Sequence, residues 1–383
     1  MKKLTFFILF VVVSLLASCG TTHIEQANQA ISVLIEDLNA VGLSVAVVKD
    51  NQIVYVEAFG AKNIDAGTQT GVDDIFRIAS ISKSFTATAI MQLYEQGKFA
   101  LDDDVAPALG LPMRNPHHPD IAITYRMLLS HTSSLKGAVH YFTFDAIDPE
   151  KTDDLEAAYN LYAPGTQYEY CNLGFNLLGA LIEIHSGERF DRYVKNHITD
   201  PLGLNANFNV DALDESLFVT LYNYADGQFV ESPDAYRSRA DDLENYIMGY
   251  TTPVFSPTGG MKIAPKDLVK HMLVQINQGT WDGVKILKPE SVAAMQAPYR
   301  FPDGTTGDYG FAISTTTKLV EGETLKGHTG SAYGLYSAMF FEPDKKFGFI
   351  VITNGYPPMQ GDNDFMTIQS DVINALYEIF IAP

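Results

Sequence analysis

A serine and a lysine three residues apart are the first side chains that could carry out a reaction. The run Ser80-Ile81-Ser82-Lys83 follows an expected strand end at Phe76-Arg77-Ile78 and begins an apolar helix expected over residues 80–96. Residues three apart on a helix share one face, with about 5–6 Å between their Cβ atoms. An amine there can take the proton of a hydroxyl that is otherwise a poor nucleophile, and the helix N-terminus favours the negative charge that develops. The pair predicts nucleophilic catalysis by Ser80, assisted by Lys83.

The Ser-x-x-Lys spacing is a weak signal by itself, because about one chance match is expected in a chain of this length. A second match occurs at Ser133-Ser134-Leu135-Lys136. No apolar helix follows that run. We therefore interpret it as a loop.

A tyrosine and an asparagine two residues apart form the second element, Tyr170-Cys171-Asn172. Side chains at i and i+2 in an extended segment can point toward the same cleft. A lysine ammonium nearby would favour the phenolate of Tyr170, which could then accept and donate a proton. Asn172 could donate and accept hydrogen bonds there. A packed tyrosine and a turn asparagine remain the alternative interpretation.

The third element is the run His328-Thr329-Gly330-Ser331, which precedes a strand expected over residues 335–341. A glycine in an edge strand lets a substrate backbone approach closely. Chance matches to this run are expected well below once in the chain, so it is the most specific of the three elements.

Strand-like segments lie near both ends of the chain, and helix-like segments lie between them. Two hairpins are expected, over residues 43–49 with 52–59 and over 337–341 with 348–353, because β-rich runs flank short polar turns. We expect an α/β (α+β) fold with one antiparallel sheet built from both chain ends, flanked by helices, and a mostly helical lobe inserted into it. The sheet lobe is expected over about 24–78 and 255–383, and the helical lobe over about 79–254. Helices are expected over 22–40, 80–96, 125–129, 172–185, 266–278 and 365–380.

Composition excludes several classes of protein. The 383 residues include 26 basic and 46 acidic side chains, for a net charge of −20. An acidic chain without a basic run argues against binding to nucleic acid or to anionic lipid surfaces. Two cysteines exclude a disulfide scaffold and a four-cysteine zinc site. His117-His118 lacks a spaced third ligand, so we expect no metal and no cofactor.

The N-terminus has the pattern of an export signal. Two lysines precede an apolar run over residues 4–17, which is shorter than the roughly 20 residues needed to span a bilayer. Residues 1–18 resemble a bacterial lipoprotein signal peptide, in which the next residue, Cys19, is lipidated. This resemblance implies a mature chain of 19–383, anchored by lipid in the cell envelope on a periplasmic or outer-membrane face. An ordinary cleaved signal and an uncleaved anchor remain alternatives.

The three elements in this order resemble the serine β-lactamase and penicillin-binding-protein superfamily, and within it the class C β-lactamase-like hydrolases. The resemblance covers about residues 41–355. It also includes four flanking runs, at 123–135, 163–166, 201–204 and 258–261.

The resemblance implies roles for the residues of the three elements. Ser80 would be the acylated nucleophile, Lys83 would assist removal of its proton, and Tyr170 would transfer protons to and from the leaving group. Asn172 would hold the amide of the substrate. The substrate would also contact the third element, His328, Thr329, Gly330 and Ser331, and the backbone N–H groups of Ser80 and Ser331 would form the oxyanion hole.

Two positions depart from the family pattern. His328 stands where β-lactamases and most penicillin-binding proteins have a lysine that helps hold a carboxylate. A histidine is mostly neutral at pH 7 and gives a weaker anion site, as in members that resemble D-aminopeptidases and esterases. Ser134 stands where the family loop usually has glycine, and we expect little consequence.

Three functions are compatible with this sequence. The leading hypothesis is a lipid-anchored serine hydrolase that acts through a Ser80 acyl-enzyme on a small-molecule or peptide substrate with an amide or ester bond. The alternatives are a true class C-like β-lactamase and a non-catalytic penicillin-binding sensor or scaffold. No protein partner is predicted.

Overall fold

The computed structural model describes residues 22–361 and 363–382. The predicted signal peptide and Cys19 lie outside the described residues. The strands in the described part of the chain are β1 (Gly42–Lys49), β2 (Gln52–Asn63), β3 (Thr68–Gln69), β4 (Phe76–Arg77), β5 (Ala206–Asn207), β6 (Tyr222–Ala225), β7 (Gln228–Glu231), β8 (Lys262–Ile263), β9 (Thr280–Trp281), β10 (Val284–Lys285), β11 (Ser314–Thr316), β12 (Leu325–Ala332), β13 (Leu335–Glu342) and β14 (Phe347–Thr353).

The main sheet is antiparallel and has seven strands in the order β11-β12-β13-β14-β1-β2-β3. The first and last long strands of the chain are neighbours in it, because β1 pairs with β14 in a register that places Val45 opposite Val351. The predicted sheet from both chain ends is therefore confirmed, and so are both predicted hairpins, β1–β2 and β13–β14.

Both faces of the sheet are covered, which explains why β1 and β14 are apolar along nearly their whole length. Side chains alternate between faces along a strand. Val45 and Val47 pack in one cluster with Ile31 and Leu376 from the terminal helices. Ala46 belongs instead to a larger cluster that continues into the middle of the chain.

All six predicted helices are present, with small differences at their ends, and four further helices in the described residues were not predicted. The first begins at His23 because Thr22 caps it, with Glu25 completing a capping box. No helix in the described residues is long and apolar enough to cross a bilayer. The α-helices described are α1 (His23–Asp37), α2 (Ser82–Glu95), α3 (Ala106–Leu109), α4 (Tyr125–Leu129), α5 (Asn172–Ser186), α6 (Phe190–Val194), α7 (Ala240–Leu243), α8 (Pro265–Ile276), α9 (Pro289–Gln296) and α10 (Thr367–Phe380).

A small sheet with the strand order β4-β8-β5 lies beside the main one and fixes the start of α2. In it, Phe76 pairs with Ile263 and Arg77 with Lys262. The chain leaves β4 through a 3₁₀ turn over Ala79–Ile81 and enters α2 at Ser82. The strand-to-helix passage predicted before Ser80 is therefore present.

Candidate active site

Ser80 lies on a tight turn that is pressed against the main sheet. Ala79 has φ 46°, a left-handed conformation that costs energy for a residue with a side chain. A Cβ added at Gly330 would lie 2.5 Å from the carbonyl oxygen of Ile78, so only glycine fits on β12 at this point. The Ser337 hydroxyl donates to the same carbonyl at 3.0 Å. Packing against β12 and β13 thus holds the turn in its strained conformation.

Lys83 is fully buried in the first turn of α2 and faces three oxygen atoms. Its Nζ lies 3.1 Å from Ser80 Oγ, 2.9 Å from Asn172 Oδ1 and 2.8 Å from the Thr258 carbonyl oxygen. Burial lowers the pKa of Lys83 well below its ordinary value, which favours the neutral amine. A neutral amine has two N–H donors and one lone pair. Asn172 and Thr258 accept the two protons, which leaves the lone pair for the hydroxyl of Ser80.

Tyr170 precedes α5 and lies over the same group, with Lys83 Nζ 4.7 Å from its ring centroid. Burial raises the pKa of Tyr170, and the smaller opposing effect of the Ser80 hydroxyl does not offset it. The expectation that a lysine ammonium would favour the phenolate is therefore wrong, because burial favours the neutral form of both groups. The phenol is a proton donor in this state. Within the described residues its buried hydroxyl has no hydrogen bond of normal distance and angle, although it lies close enough to the Ser80 hydroxyl to be influenced by it.

Asn172 is the first residue of α5, and its side-chain amide is held in one orientation. Its Oδ1 accepts hydrogen bonds from Lys83 Nζ and, at 2.7 Å, from the Thr258 hydroxyl. The amide nitrogen is therefore the end left to donate to a substrate. Asn176, one turn later, accepts from the Thr258 backbone N–H at 3.2 Å and fixes that residue in turn.

The sequence did not assign a role to Thr258, although it lies in one of the flanking runs of the family resemblance. Its carbonyl and hydroxyl orient both Lys83 and Asn172. A backbone carbonyl has no signature in the sequence, so the flanking run was the only signal that could have pointed to it.

His131 was also missed, because it precedes the second Ser-x-x-Lys run, which was interpreted as a loop. It is buried, and its Nδ1 accepts a hydrogen bond of 3.1 Å from the backbone N–H of Cys171, between Tyr170 and Asn172. Its ring centroid lies 4.3 Å from that of Tyr170. Burial lowers the pKa of His131 well below its ordinary value, so the ring is neutral. Its position before the second Ser-x-x-Lys match gave no hint of this contact.

The third element lies on β12, but its residues face different ways. His328 is buried, with Nε2 2.9 Å from the Tyr309 hydroxyl and Nδ1 against the carbonyl oxygen of Thr329. Burial lowers the pKa of His328 to about 3, so the ring is neutral. Gly330 packs on the nucleophile turn, and Ser331 lies at the cavity beside Ser80. His328 and Thr329 do not line that cavity.

A cavity of about 370 Å³ opens beside Ser80. Of the predicted site residues, Ser80, Asn172 and Ser331 line it. Lys83 and Tyr170 lie behind its wall, where they contact the nucleophile and each other. The remaining residues that line the cavity are Arg77, Ala79, Tyr141, Phe142, Ser256, Thr258, Gly259, Ala332 and Tyr333.

No group of three potential metal ligands occurs within the residues that the structure describes. The side chain of His118 contacts the Leu161 carbonyl oxygen.

Fold and site together define a protein of the serine β-lactamase and penicillin-binding-protein type. The beta-lactamase family model matches residues 27–371, so the chain belongs to that family. The superfamily resemblance drawn from the three motifs is confirmed.

Relatives of the chain include penicillin-binding protein 4 of Amycolatopsis lactamdurans, with 26% identity over 82% of this chain and 81% of that protein. Protein flp of Staphylococcus aureus strain MW2 is 23% identical over 86% of this chain. The chain spans 64% of the length of protein flp.

Solved structures show the same fold. The octameric penicillin-binding protein homologue from Pyrococcus abyssi superposes with a TM-score of 0.71 at 25% identity, covering 92% of this chain and 76% of that one. The crystal structure of SurE superposes with a TM-score of 0.67 at 20% identity, covering 93% and 75%.

Proposed function

We propose that this chain is a serine hydrolase that forms an acyl-enzyme on Ser80 with an amide, peptide or ester substrate. The observation that carries the proposal is the buried amine of Lys83. Two carbonyl oxygens occupy its donors, and its third neighbour, at 3.1 Å, is the Ser80 hydroxyl. A neutral amine in that position is a general base for the serine.

In the proposed reaction, Ser80 Oγ attacks the acyl carbon and its proton passes to Lys83 Nζ. The tetrahedral oxyanion accepts hydrogen bonds from the backbone N–H groups of Ser80 and Ser331. Donors of this kind contribute about 2.7–4 kcal/mol each when removed in other enzymes. The Tyr170 phenol donates a proton to the leaving group and recovers one from the Lys83 ammonium. Water then attacks the acyl-enzyme by the reverse proton path and releases the acid.

The neutral His328 favours an esterase or D-aminopeptidase type of substrate over a β-lactam. It contacts Tyr309 and the backbone, and it carries no charge with which to hold a carboxylate. The family match keeps a true β-lactamase as the second candidate. Turnover of nitrocefin by the wild type, lost in a Ser80→Ala variant, would favour that candidate. Turnover of aryl esters without nitrocefin hydrolysis would favour the first.

We also propose that the mature chain is attached to the cell envelope through lipid on Cys19. The support is the sequence pattern of residues 1–20. Incorporation of a labelled fatty acid into the wild type, and its loss in a Cys19→Ser variant, tests the anchor separately from the chemistry.

Covalent labelling tests the acyl transfer directly. An uncharged alkyl fluorophosphonate should add one adduct to the chain, and peptide mapping should place it on Ser80. Ser133 belongs to the second Ser-x-x-Lys run and should not be labelled. The matched control, Ser133→Ala, should therefore react as the wild type does. An adduct on any other residue, or no adduct with several fluorophosphonates, would refute the proposal.

A further inference from the structure

One charged side chain lines the cavity beside Ser80. Arg77 belongs to β4, three residues before the nucleophile, and the other described residues that line this cavity are neutral. The whole chain carries a net charge of −20, so acidic side chains are abundant. Nevertheless, none of the ion pairs within the described residues involves Arg77.

The guanidinium of Arg77 is fixed in place by neutral groups. Its Nε donates to the Gly259 carbonyl oxygen at 2.9 Å, and its Nη1 donates to that of Ala235 at 3.3 Å. Its central carbon lies 4.9 Å from the ring centroid of Tyr333. Arginine has five N–H donors, so within the described residues these contacts leave several of them without an acceptor.

An arginine in this setting is costly for the folded protein. Arg77 is 6% exposed, and a buried charge without a counter-charge loses hydration that two carbonyl oxygens only partly replace. Burial lowers its pKa, and the neighbouring positive charge of Arg239 contributes to the same shift. Arg77 also lines a neighbouring pocket that contains Asp145, Asp234 and Asp242. On the side of Ser80, however, the cavity has a positive charge and no acidic lining residue, so an anion entering there would be stabilised.

We propose that Arg77 determines substrate specificity by binding a carboxylate of the substrate in this cavity, which rests on the acyl transfer proposed for Ser80. A planar guanidinium fork matches a carboxylate with two parallel hydrogen bonds. A single guanidinium balances a single negative charge, which favours a carboxylate over a doubly charged phosphate. Arg77 lies on β4 and His328 lies on β12, outside the cavity, so this carboxylate position differs from the one at which His328 replaces the family's lysine.

Paired covalent probes test this specificity. Fluorophosphonates with an arm of two to six methylenes are prepared in two forms, one with a terminal carboxylate and one with the carboxamide of equal length. Ser80 displaces fluoride from phosphorus, and either arm around the phosphorus can enter the cavity. The second-order labelling rate for each form is measured by intact mass, and the ratio of carboxylate to carboxamide is the readout.

The wild type should react faster with the carboxylate form at the best arm length, by roughly 10- to 100-fold, as expected for hydrogen bonds to a charged group. Arg77→Gln should bring the ratio close to one while the carboxamide rate changes only a few-fold. Arg77→Lys, which keeps the charge and loses the fork, should retain part of the preference.

Arg237→Gln is the matched control, because Arg237 is half exposed, pairs with Asp242 and does not line this cavity. It should keep the wild-type ratio. Equal labelling rates for the two wild-type probes at every arm length would overturn the role of Arg77 and leave acyl transfer at Ser80 standing. An unchanged ratio of carboxylate to carboxamide labelling in Arg77→Gln would also overturn the role of Arg77. Absence of labelling by both forms would instead overturn acyl transfer itself. If Arg77→Gln fails to fold, the wild-type ratio and Arg77→Lys still decide.

Discussion

Ser80–Lys83 and Ser133–Lys136 have the same residue types at the same spacing, but they lie in different local structures. The first run crosses a 3₁₀ turn into α2, and the helix places the amine 3.1 Å from the hydroxyl. The second run continues as a loop. Within the described residues, no hydrogen bond joins Ser133 to Lys136. Spacing alone therefore does not bring a serine and a lysine together.

The segment from His131 to Lys136 packs against the same site. The carbonyl oxygen of Ser134 accepts the Asn160 backbone N–H at 2.8 Å, and His131 supports the backbone between Tyr170 and Asn172. The segment that begins at Ser80 holds the reacting groups, and the segment from His131 to Lys136 positions them. Each of the following substitutions or measurements tests one of these two roles.

Removing the nucleophile should have the largest effect. Ser80→Ala should lower kcat/KM for an aryl ester by on the order of 10⁴-fold or more, since the covalent path is lost. Ser133→Ala should stay within about twofold of the wild type, because among the described residues that hydroxyl has one hydrogen bond, accepted from the Leu135 backbone N–H at 3.5 Å. A large loss in Ser133→Ala with an unchanged melting temperature would contradict the assignment.

The two lysines should differ almost as strongly. Lys83→Met should lower the rate of acylation by roughly 10²–10⁴-fold, the usual contribution of a general base. Lys136→Met should leave that rate unchanged. Single-turnover labelling with a fluorophosphonate measures acylation apart from later steps. Near-wild-type acylation in Lys83→Met would show that another group takes the proton of Ser80.

The pH dependence of acylation should report the Lys83 amine. Because burial lowers its pKa, the amine is neutral over a wider range of pH, and the rate should fall tenfold per unit only below that lowered pKa. The raised pKa of Tyr170 predicts no loss of activity on the alkaline side up to about pH 10. His328, with a pKa of about 3, adds no step near neutrality. A rate that rises only around pH 10.5 would indicate an unperturbed lysine.

Replacing His131 should affect stability and its dependence on pH. His131→Phe leaves the Cys171 N–H without its acceptor, at a cost of about 1–3 kcal/mol in the free energy of unfolding. In the wild type the folded pKa of His131 is lowered, so the unfolded chain binds the extra proton below pH 6.5. The stability associated with this group is full above pH 6.5 and falls by up to about 1.4 kcal/mol per unit as the pH decreases.

Urea unfolding at pH 7.5 and pH 5 measures both parts of this effect. The variant should be less stable at pH 7.5 but should lose less stability than the wild type between the two values. Equal losses would mean that His131 is not neutral in the folded protein. His131→Asn, which keeps a side-chain acceptor, should recover part of the stability at pH 7.5.

Ser134→Gly should have the smallest effect. Ser134 has φ 65°, so glycine relieves backbone strain of about 1 kcal/mol. The change also removes the hydroxyl that accepts from Asn115 Nδ2 at 3.0 Å, but that amide has two carbonyl acceptors besides. The melting temperature should therefore move by only a few degrees, with kcat/KM unchanged. A large destabilisation would show that the hydroxyl is essential to the loop.

Local patterns predicted the parts of the molecule that depend on local structure. The apolar helix after Ser80 distinguished it from Ser133, and β-rich runs on either side of short polar turns predicted the hairpins of the sheet. The contacts that decide protonation come from distant segments. Burial by those segments keeps the Tyr170 phenol neutral. The Tyr309 hydroxyl, from a separate segment, contacts the ring of His328. The Thr258 carbonyl is backbone, which residue type does not reveal.

The protonation state of Lys83 is the central claim, and NMR measures it directly. In a chain labelled with ¹³C at lysine Cε, the Lys83 resonance is assigned by its loss in Lys83→Met and followed from pH 5 to pH 11. The account predicts a midpoint well below 10.5, with a neutral amine where acylation is fastest. A midpoint at the ordinary lysine value would contradict it, since the amine would then be charged and unable to take the proton of Ser80.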